Sequence, residues 1–293
     1  MITKELNTSY QSGVDDVIKH LADTCAIDVT VAGRIDKLNR EERHYKEYKR
    51  GNSWTYCHQA YVKAGTKDPD YLALQLAFYL ASWGMYRGSS FLLELDYKIH
   101  IPAVEMMMED QYRDLFAVDN PFAHPEMAQK YKALMFGNQG IYTRLEEYYL
   151  QAHKDIAWQR KEYAKKHPSQ TPKKARHDPV QESDTLLTKI LLGVYGCVPA
   201  YDRYFKDGIG FFGKQKLLKA DGKAICGGEK ALCTLLADGR LKQELDEYWQ
   251  KHKDEYTFMK VVDMYFFSLG TLLEDGVEKA ELEGCIRQRY SIK

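Results

Sequence analysis

The stretch from Asp68 to Gly84 constrains the fold more than any other, because it marks both ends of a helix and leaves that helix no polar face. Asp68 offers a side-chain acceptor to the free amides of a first turn. Pro69 has no amide to lose there, and Asp70 lies at the positive end of the helix dipole. Tyr71 to Trp83 is then apolar nearly all round, and Gly84 supplies a stop. A helix of this kind belongs in the centre of a domain. The run is 13 residues long and already holds Gln75 and Ser82. Crossing a bilayer takes about 20 predominantly apolar residues, so we read a buried helix and expect no membrane span. A second central helix is expected from Thr257 to Leu273, with Phe258, Val261, Val262, Tyr265, Phe266 and Leu269 at helical spacing.

The same periodicity recurs along the chain. It predicts helices over Ser12–Ala22 and, as a solvated helix with a thin packing stripe, over residues 34–50. Ser53 is placed to cap a helix through Val62. Another helix is expected from Ser89 or Ser90 through Phe91, Leu92, Leu95 and Ile99, restarting at Pro102, with the period continued by Val104, Met107, Met108, Tyr112 and Leu115. Further helices are read at Glu126–Phe136, Tyr142–Lys165, Ser183–Leu192, Pro199–Phe205, Glu229–Ala237 and Leu241–His252. Ile27 to Val31 suits a short extended piece, and Asp221-Gly222 suits a hairpin turn. The fold class is therefore all-α: an irregular multi-helix bundle around two fully apolar central helices, with at most one minor β-hairpin. Residues 167–182 hold three prolines and almost no apolar side chains. They read as an exposed linker or long loop between an N-terminal helical region, 1–166, and a C-terminal one, 183–293, unless the two join as one continuous domain.

Lys plus Arg equals Asp plus Glu, at 42 each, so the whole chain sets up no field that would attract nucleic acid or an anionic membrane. The 22 tyrosines suit half-buried packing between helices, or a ligand surface. None of the six cysteines stands in a C-x-x-C pair, so no zinc site is indicated. The first residues, MITKELNTSY, hold no apolar stretch and no signal peptide is expected. The cysteines then read as free thiols and the protein as cytoplasmic. The nine histidines form no H-x-x-x-H or H-E-x-x-H pattern, and no metal is expected. No Rossmann, Walker, kinase or G-x-S-x-G signature occurs, and no cofactor is expected.

Three segments carry residues with chemical potential. Trp83-Gly84-Met85-Tyr86-Arg87-Gly88-Ser89-Ser90 joins two predicted helices. A helix start there would aim free amides at Arg87, Ser89 and Ser90, which makes Trp83, Arg87, Ser89 and Ser90 candidate ligands for a phosphorylated molecule. The same residues also serve as an ordinary tight helix connection. A second segment, Lys154 to Arg176, has a local excess of six positive charges and includes Lys161, Lys165, Lys166, Lys173, Lys174 and Arg176. Trp158 and Tyr163 interleave with them, as suits a phosphate backbone, although such runs also serve simply as solvated surface.

The third segment is Gly193-Val194-Tyr195-Gly196, followed by Val198-Pro199 and Asp202, with Lys189 upstream. It is similar to the hairpin of helix-hairpin-helix DNA glycosylases. That resemblance implies backbone amides presented to a phosphate, Lys189 as nucleophile or phosphate contact, and Asp202 as general base or charge stabiliser. It covers only Lys189 to Phe205. The glycine turn is longer than the family's G-V-G, and the lysine-to-aspartate interval is shorter than in the lyase members. Asp202 equally suits the first turn of a helix, near its positive end.

Three functions follow as expectations. The first is a helical binding or interaction protein, with a protein partner recognised by an exposed apolar patch. The second is a nucleic-acid-binding protein or DNA/RNA-acting enzyme using the basic strip with Lys189 and Asp202. The third is a binder of, or enzyme for, a small phosphorylated ligand at the Arg87 turn.

Overall fold

The computed structural model describes residues 25, 27–41, 50–64, 68–88, 90–116, 119–167, 184–212, 224–236 and 239–291. Among them the chain forms α-helices and short 3-10 turns and no strand, which is the all-α class. The helices are α1 (Val31–Glu41), α2 (Asn52–Val62), α3 (Pro69–Ser82), α4 (Ile101–Met107), α5 (Pro125–Phe136) and α6 (Ile141–Lys166), then α7 (Asp184–Val194), α8 (Arg203–Gly210), α9 (Ala224–Leu235), α10 (Arg240–His252), α11 (Phe258–Thr271) and α12 (Lys279–Tyr290). The expected Ser12–Ala22 helix, the Asp221-Gly222 hairpin and nearly all of 167–182 lie outside the described residues.

Two helices are wholly enclosed. Every residue of α11 from Phe258 to Gly270 is buried, as the periodicity predicts. Its start is capped by Thr257, whose hydroxyl accepts from the Lys260 amide at 3.2 Å. The other enclosed helix is α7, buried from Leu186 to Val194. The sequence reading put α3 in that place. α3 does bury Leu72, Ala73, Leu76, Ala77, Tyr79 and Leu80, but Tyr71, Leu74 and Phe78 on its outer face are 43–54% exposed. Composition without a polar face did not enclose it, because packing covers only one side. α2, α3 and α6 pack on α7, while α1, α8 and α10 pack on α11. One hydrophobic core thus draws on helices from both sides of 168–183. Each large apolar side chain fully buried in it contributes about 1.5–3 kcal/mol.

The closest helix approach is α8 across α11. A methyl group at Gly208 would overlap the Phe266 carbonyl, and one at Gly270 would overlap the Tyr204 carbonyl. Two glycines on facing helices therefore let the backbones meet. Elsewhere the tyrosines act as pins between helices, with rings buried and hydroxyls donating to backbone carbonyls. Tyr61 donates to Leu72 at 3.0 Å, Tyr195 to Met107 at 2.6 Å and Tyr265 to Val29 at 3.0 Å. Burial of a ring with its polar tip satisfied is what Tyr offers that Phe does not.

Several local expectations are corrected. Ile27 to Thr30 forms no strand; α1 starts at Val31, and Thr30 receives the Gly33 amide on its hydroxyl at 3.0 Å. Ser53 lies inside α2 and donates to the Arg50 carbonyl at 2.7 Å, so it does not cap that helix. Residues 91–100 form two 3-10 turns in place of one α-helix. Ser90 caps the first and Asp96, missed as a cap, starts the second. Pro102 then opens α4, which ends at Met107. Pro199 opens no helix: α8 begins at Arg203, capped by Asp202. Cys25 and Cys285 are joined as a disulfide with their Cα atoms 5.6 Å apart, which overturns the free-thiol reading for that pair. Cys57 and Cys197 are buried thiols. Among the described residues no helix is long and apolar enough to cross a membrane.

Candidate functional site

Trp83 is placed by the end of α3. The Met85 amide donates to the Leu80 carbonyl at 2.9 Å and the Gly84 amide to Ala81 at 3.0 Å, with Gly84 at φ +76°. This paired closure requires a left-handed residue, which glycine supplies. It holds the indole at a fixed exit from the helix. Phe267 of α11 meets the ring edge-on at 5.9 Å between centroids.

Three cations converge on that ring. The Arg50 guanidinium carbon is 4.4 Å from its centroid, Lys189 Nζ 5.1 Å and Lys260 Nζ 5.6 Å. Lys260 lies equally close to the Trp54 ring, at 5.6 Å. Each such contact contributes about 0.5–2 kcal/mol, more where water is excluded. Among the described residues the Trp83 Nε1–H, itself out of solvent, has no acceptor. Arg50, Asn52, Thr55, Trp83, Tyr256 and Lys260 line a cleft of about 80 Å³ that opens at this point. The start of α2 faces it without a side-chain cap.

The two lysines are buried with carboxylates. Lys260 Nζ is 2.8 Å from Asp263 Oδ2, with side chains 8% and 9% exposed. Lys189 Nζ is 2.9 Å from Asp202 Oδ2, with side chains 5% and 16% exposed. Asp202 Oδ1 also accepts from the Phe205 amide at 3.0 Å, capping α8. Asp263 Oδ1 accepts from the Ala200 amide at 3.0 Å. The Gly196–Asp202 connection is tied down from α7 and from the cap of α11. Thr257 donates to the Gly196 carbonyl at 2.7 Å, Thr188 accepts from the Tyr201 amide at 2.8 Å, and Thr185 donates to the Tyr201 carbonyl at 2.9 Å. A buried non-helical segment must have its backbone groups satisfied this way.

Behind the Trp83 turn, the Tyr86 hydroxyl is 2.7 Å from His100 Nε2, and His100 Nδ1 is 2.6 Å from the Tyr149 hydroxyl. Burial pushes His100 down to about 3, so the imidazole is neutral. A neutral imidazole has one donor and one acceptor nitrogen. One tyrosine therefore donates to it and the other accepts from it.

The residues singled out from sequence fall in different places. Lys189 and Asp202 meet, and Lys189 also meets Trp83. Arg87 is exposed, folds its guanidinium back over Gly84 and is not among the side chains lining the Trp83 cleft. Ser90 accepts the Leu92 amide at 3.2 Å at the head of a four-residue turn, and Ser89 lies outside the described residues. Gly193 to Ala200 are all buried, with Gly193 against the Tyr79 ring and Gly196 against Thr257, so the hairpin amides do not face solvent. Lys161, Lys165 and Lys166 are exposed along the last turns of α6 with Trp158, which is 64% exposed. Lys165 pairs with Glu162 at 2.5 Å. Lys173, Lys174 and Arg176 lie outside the described residues. Arg50, Lys260 and Asp263 were missed. The legible signal for the last two was a lysine and an aspartate three apart in a helix otherwise apolar, which indicates a buried pair. The chain matches no protein-family model, no curated protein and no solved structure.

Proposed function

We propose that the protein binds a small phosphate-bearing ligand in the Trp83 cleft. The observation that carries this reading is the convergence of Arg50, Lys189 and Lys260 on one indole whose N–H has no acceptor, at the mouth of an uncapped helix start. Asp202 and Asp263 balance the two lysines, which leaves the Arg50 guanidinium at the cleft as the charge that an anion with several acceptor oxygens complements. The cleft takes a phosphate-sized group, and the remainder of a larger ligand would extend outward past Arg50. The test is calorimetry and thermal melting with phosphate, pyrophosphate and adenine nucleotides. Arg50→Ala should abolish the shift and Arg87→Ala should leave it. If no anion stabilises the wild type, or if Arg87→Ala alone abolishes the effect, the cleft is not the site.

A second reading is an enzyme acting on DNA or RNA, favoured by the Lys189–Asp202 contact at 2.9 Å beside an aromatic ring. Its support no longer includes the glycine hairpin. Lys189 would attack a sugar carbonyl carbon to give an imine with loss of water, so borohydride should trap the chain on abasic DNA. Absence of trapping, with Lys189→Ala no different from wild type, ends it. A protein-partner role rests on another face, the Tyr71, Leu74 and Phe78 stripe of α3. A concentration-independent monomer that pulls down nothing through that stripe counts against it. The cytoplasmic address belongs to the same set of proposals. The Cys25–Cys285 disulfide counts against it, because a reducing compartment keeps thiols free; alkylation before lysis that finds the pair bonded in cells would end it.

A further inference from the structure

A second concavity lies away from Trp83, between the 3-10 turn at Asp110–Phe116, the segment around Pro121, and α5. Leu115, Pro121, Tyr131 and Cys197 are buried in its floor, and Met127 and Leu134 form its half-exposed walls. Cys197 Sγ rests 3.9 Å from Met135 Sδ, and burial pushes its thiol up, so the floor is neutral and apolar. The space amounts to about 240 Å³. A cavity of roughly 150 Å³ lined by Leu, Ile and Phe takes a benzene ring. This one therefore has room for two fused rings, or for one ring with a short chain. A single larger side chain at 127 or 134 would have filled it, as close packing favours.

The rim sets the sign of the charge. Asp114 is paired with Lys130, which neutralises both. Asp119 lines the same rim, is exposed, and among the described residues has no ion-pair partner. We propose that this pocket is a binding site for a small aromatic amine, with the ring against Leu115, Met127, Tyr131 and Leu134 and the ammonium beside Asp119. The ring supplies the affinity and the carboxylate the selectivity, because an exposed ion pair contributes little. An amine should be preferred over the uncharged ring by about threefold to fivefold, and over the matching carboxylate by about tenfold.

The experiment uses the full chain with its nine methionines carrying 13C methyl groups. Tryptamine, indole and indole-3-acetate are titrated separately. Met127 reports this pocket and Met264, which lines the Trp83 cleft, reports the other. Tryptamine should move the Met127 methyl at the lowest concentration and leave Met264 still. Asp119→Asn should equalise tryptamine and indole, and Met127→Trp should abolish binding. Asp119 is exposed, so its variant keeps the test valid even if the tryptophan variant fails to fold. The proposal is overturned if no probe moves Met127, if Met264 moves in its place, or if Asp119→Asn leaves the preference for the amine unchanged.

Discussion

Replacing Asp202 by Asn tests whether Lys189, one of the cations beside Trp83, is held in a buried ion pair. Asn has the same shape and caps helices as well as Asp, so the bond from the Phe205 amide should survive. What is removed is the charge facing Lys189, whose side chain is 5% exposed. Breaking a buried pair from one side leaves an uncompensated charge and costs about 3–5 kcal/mol. Asp202 is 16% exposed, and water reaching it places the expected loss near the lower end, about 3 kcal/mol. Lys189→Met should cost about 1 kcal/mol or less, because the remaining carboxylate keeps the Phe205 amide and the positive end of α8. The double variant Lys189→Met with Asp202→Asn has no charge to strand. It should recover about 2 kcal/mol relative to Asp202→Asn alone, so the two positions are strongly coupled. Urea melts at pH 7, read as midpoint and slope, measure all three. A cost for Asp202→Asn below about 1 kcal/mol, with coupling under about 0.5 kcal/mol, would show that Lys189 is solvated. The buried Lys189–Asp202 pair described above would then be wrong.

Other outcomes follow from the same coordinates. Burial holds His100 near 3, below its ordinary value, so its stabilising neutral form is complete above about pH 6.5 and is lost as pH falls toward 3. At pH 5 the loss is about 2 kcal/mol, and thermal melts of His100→Gln should fall less steeply between pH 6.5 and 4.5 than those of wild type. His58, also lowered by burial, supplies part of the remaining slope. Gly208→Ala should destabilise by about 1–3 kcal/mol, because its methyl meets backbone on α11. Gly284→Ala on α12 meets nothing and should stabilise by about 0.5–1 kcal/mol; equal effects in denaturant melts would refute the α8–α11 approach. Reducing Cys25–Cys285 releases a closure over 260 residues and should lower stability by up to about 5 kcal/mol, checked by melts with and without dithiothreitol. An unchanged midpoint would mean the bond carries no constraint.

Helix positions were largely legible because their signals are local. Asp68-Pro69 opens α3 and Gly84 closes it through bonds spanning a few residues. Thr257 and α11 follow the same logic. The misreadings arose where local propensity leaves a choice. Phe91 to Ile99 has helical spacing, yet Asp96 bonds the Lys98 amide and breaks the run into two short turns. Asp202 similarly takes the Phe205 amide and delays α8 past Pro199.

What the chain determined by itself is its class and most of its helix ends, since apolar period, caps and glycine stops act within one or two turns. Enclosure was decided by tertiary packing alone: α7, carrying Thr188 and Lys189, went inside because Asp202 and the Tyr201 amide satisfied it, while the greasier α3 was left with Leu74 and Phe78 outside. The same holds for the site. Arg50, Trp83, Lys189 and Lys260 are far apart in sequence, and only helix crossings bring their charges onto one ring. Coulomb and cation–π forces depend on distance through space, which periodicity along a chain does not encode.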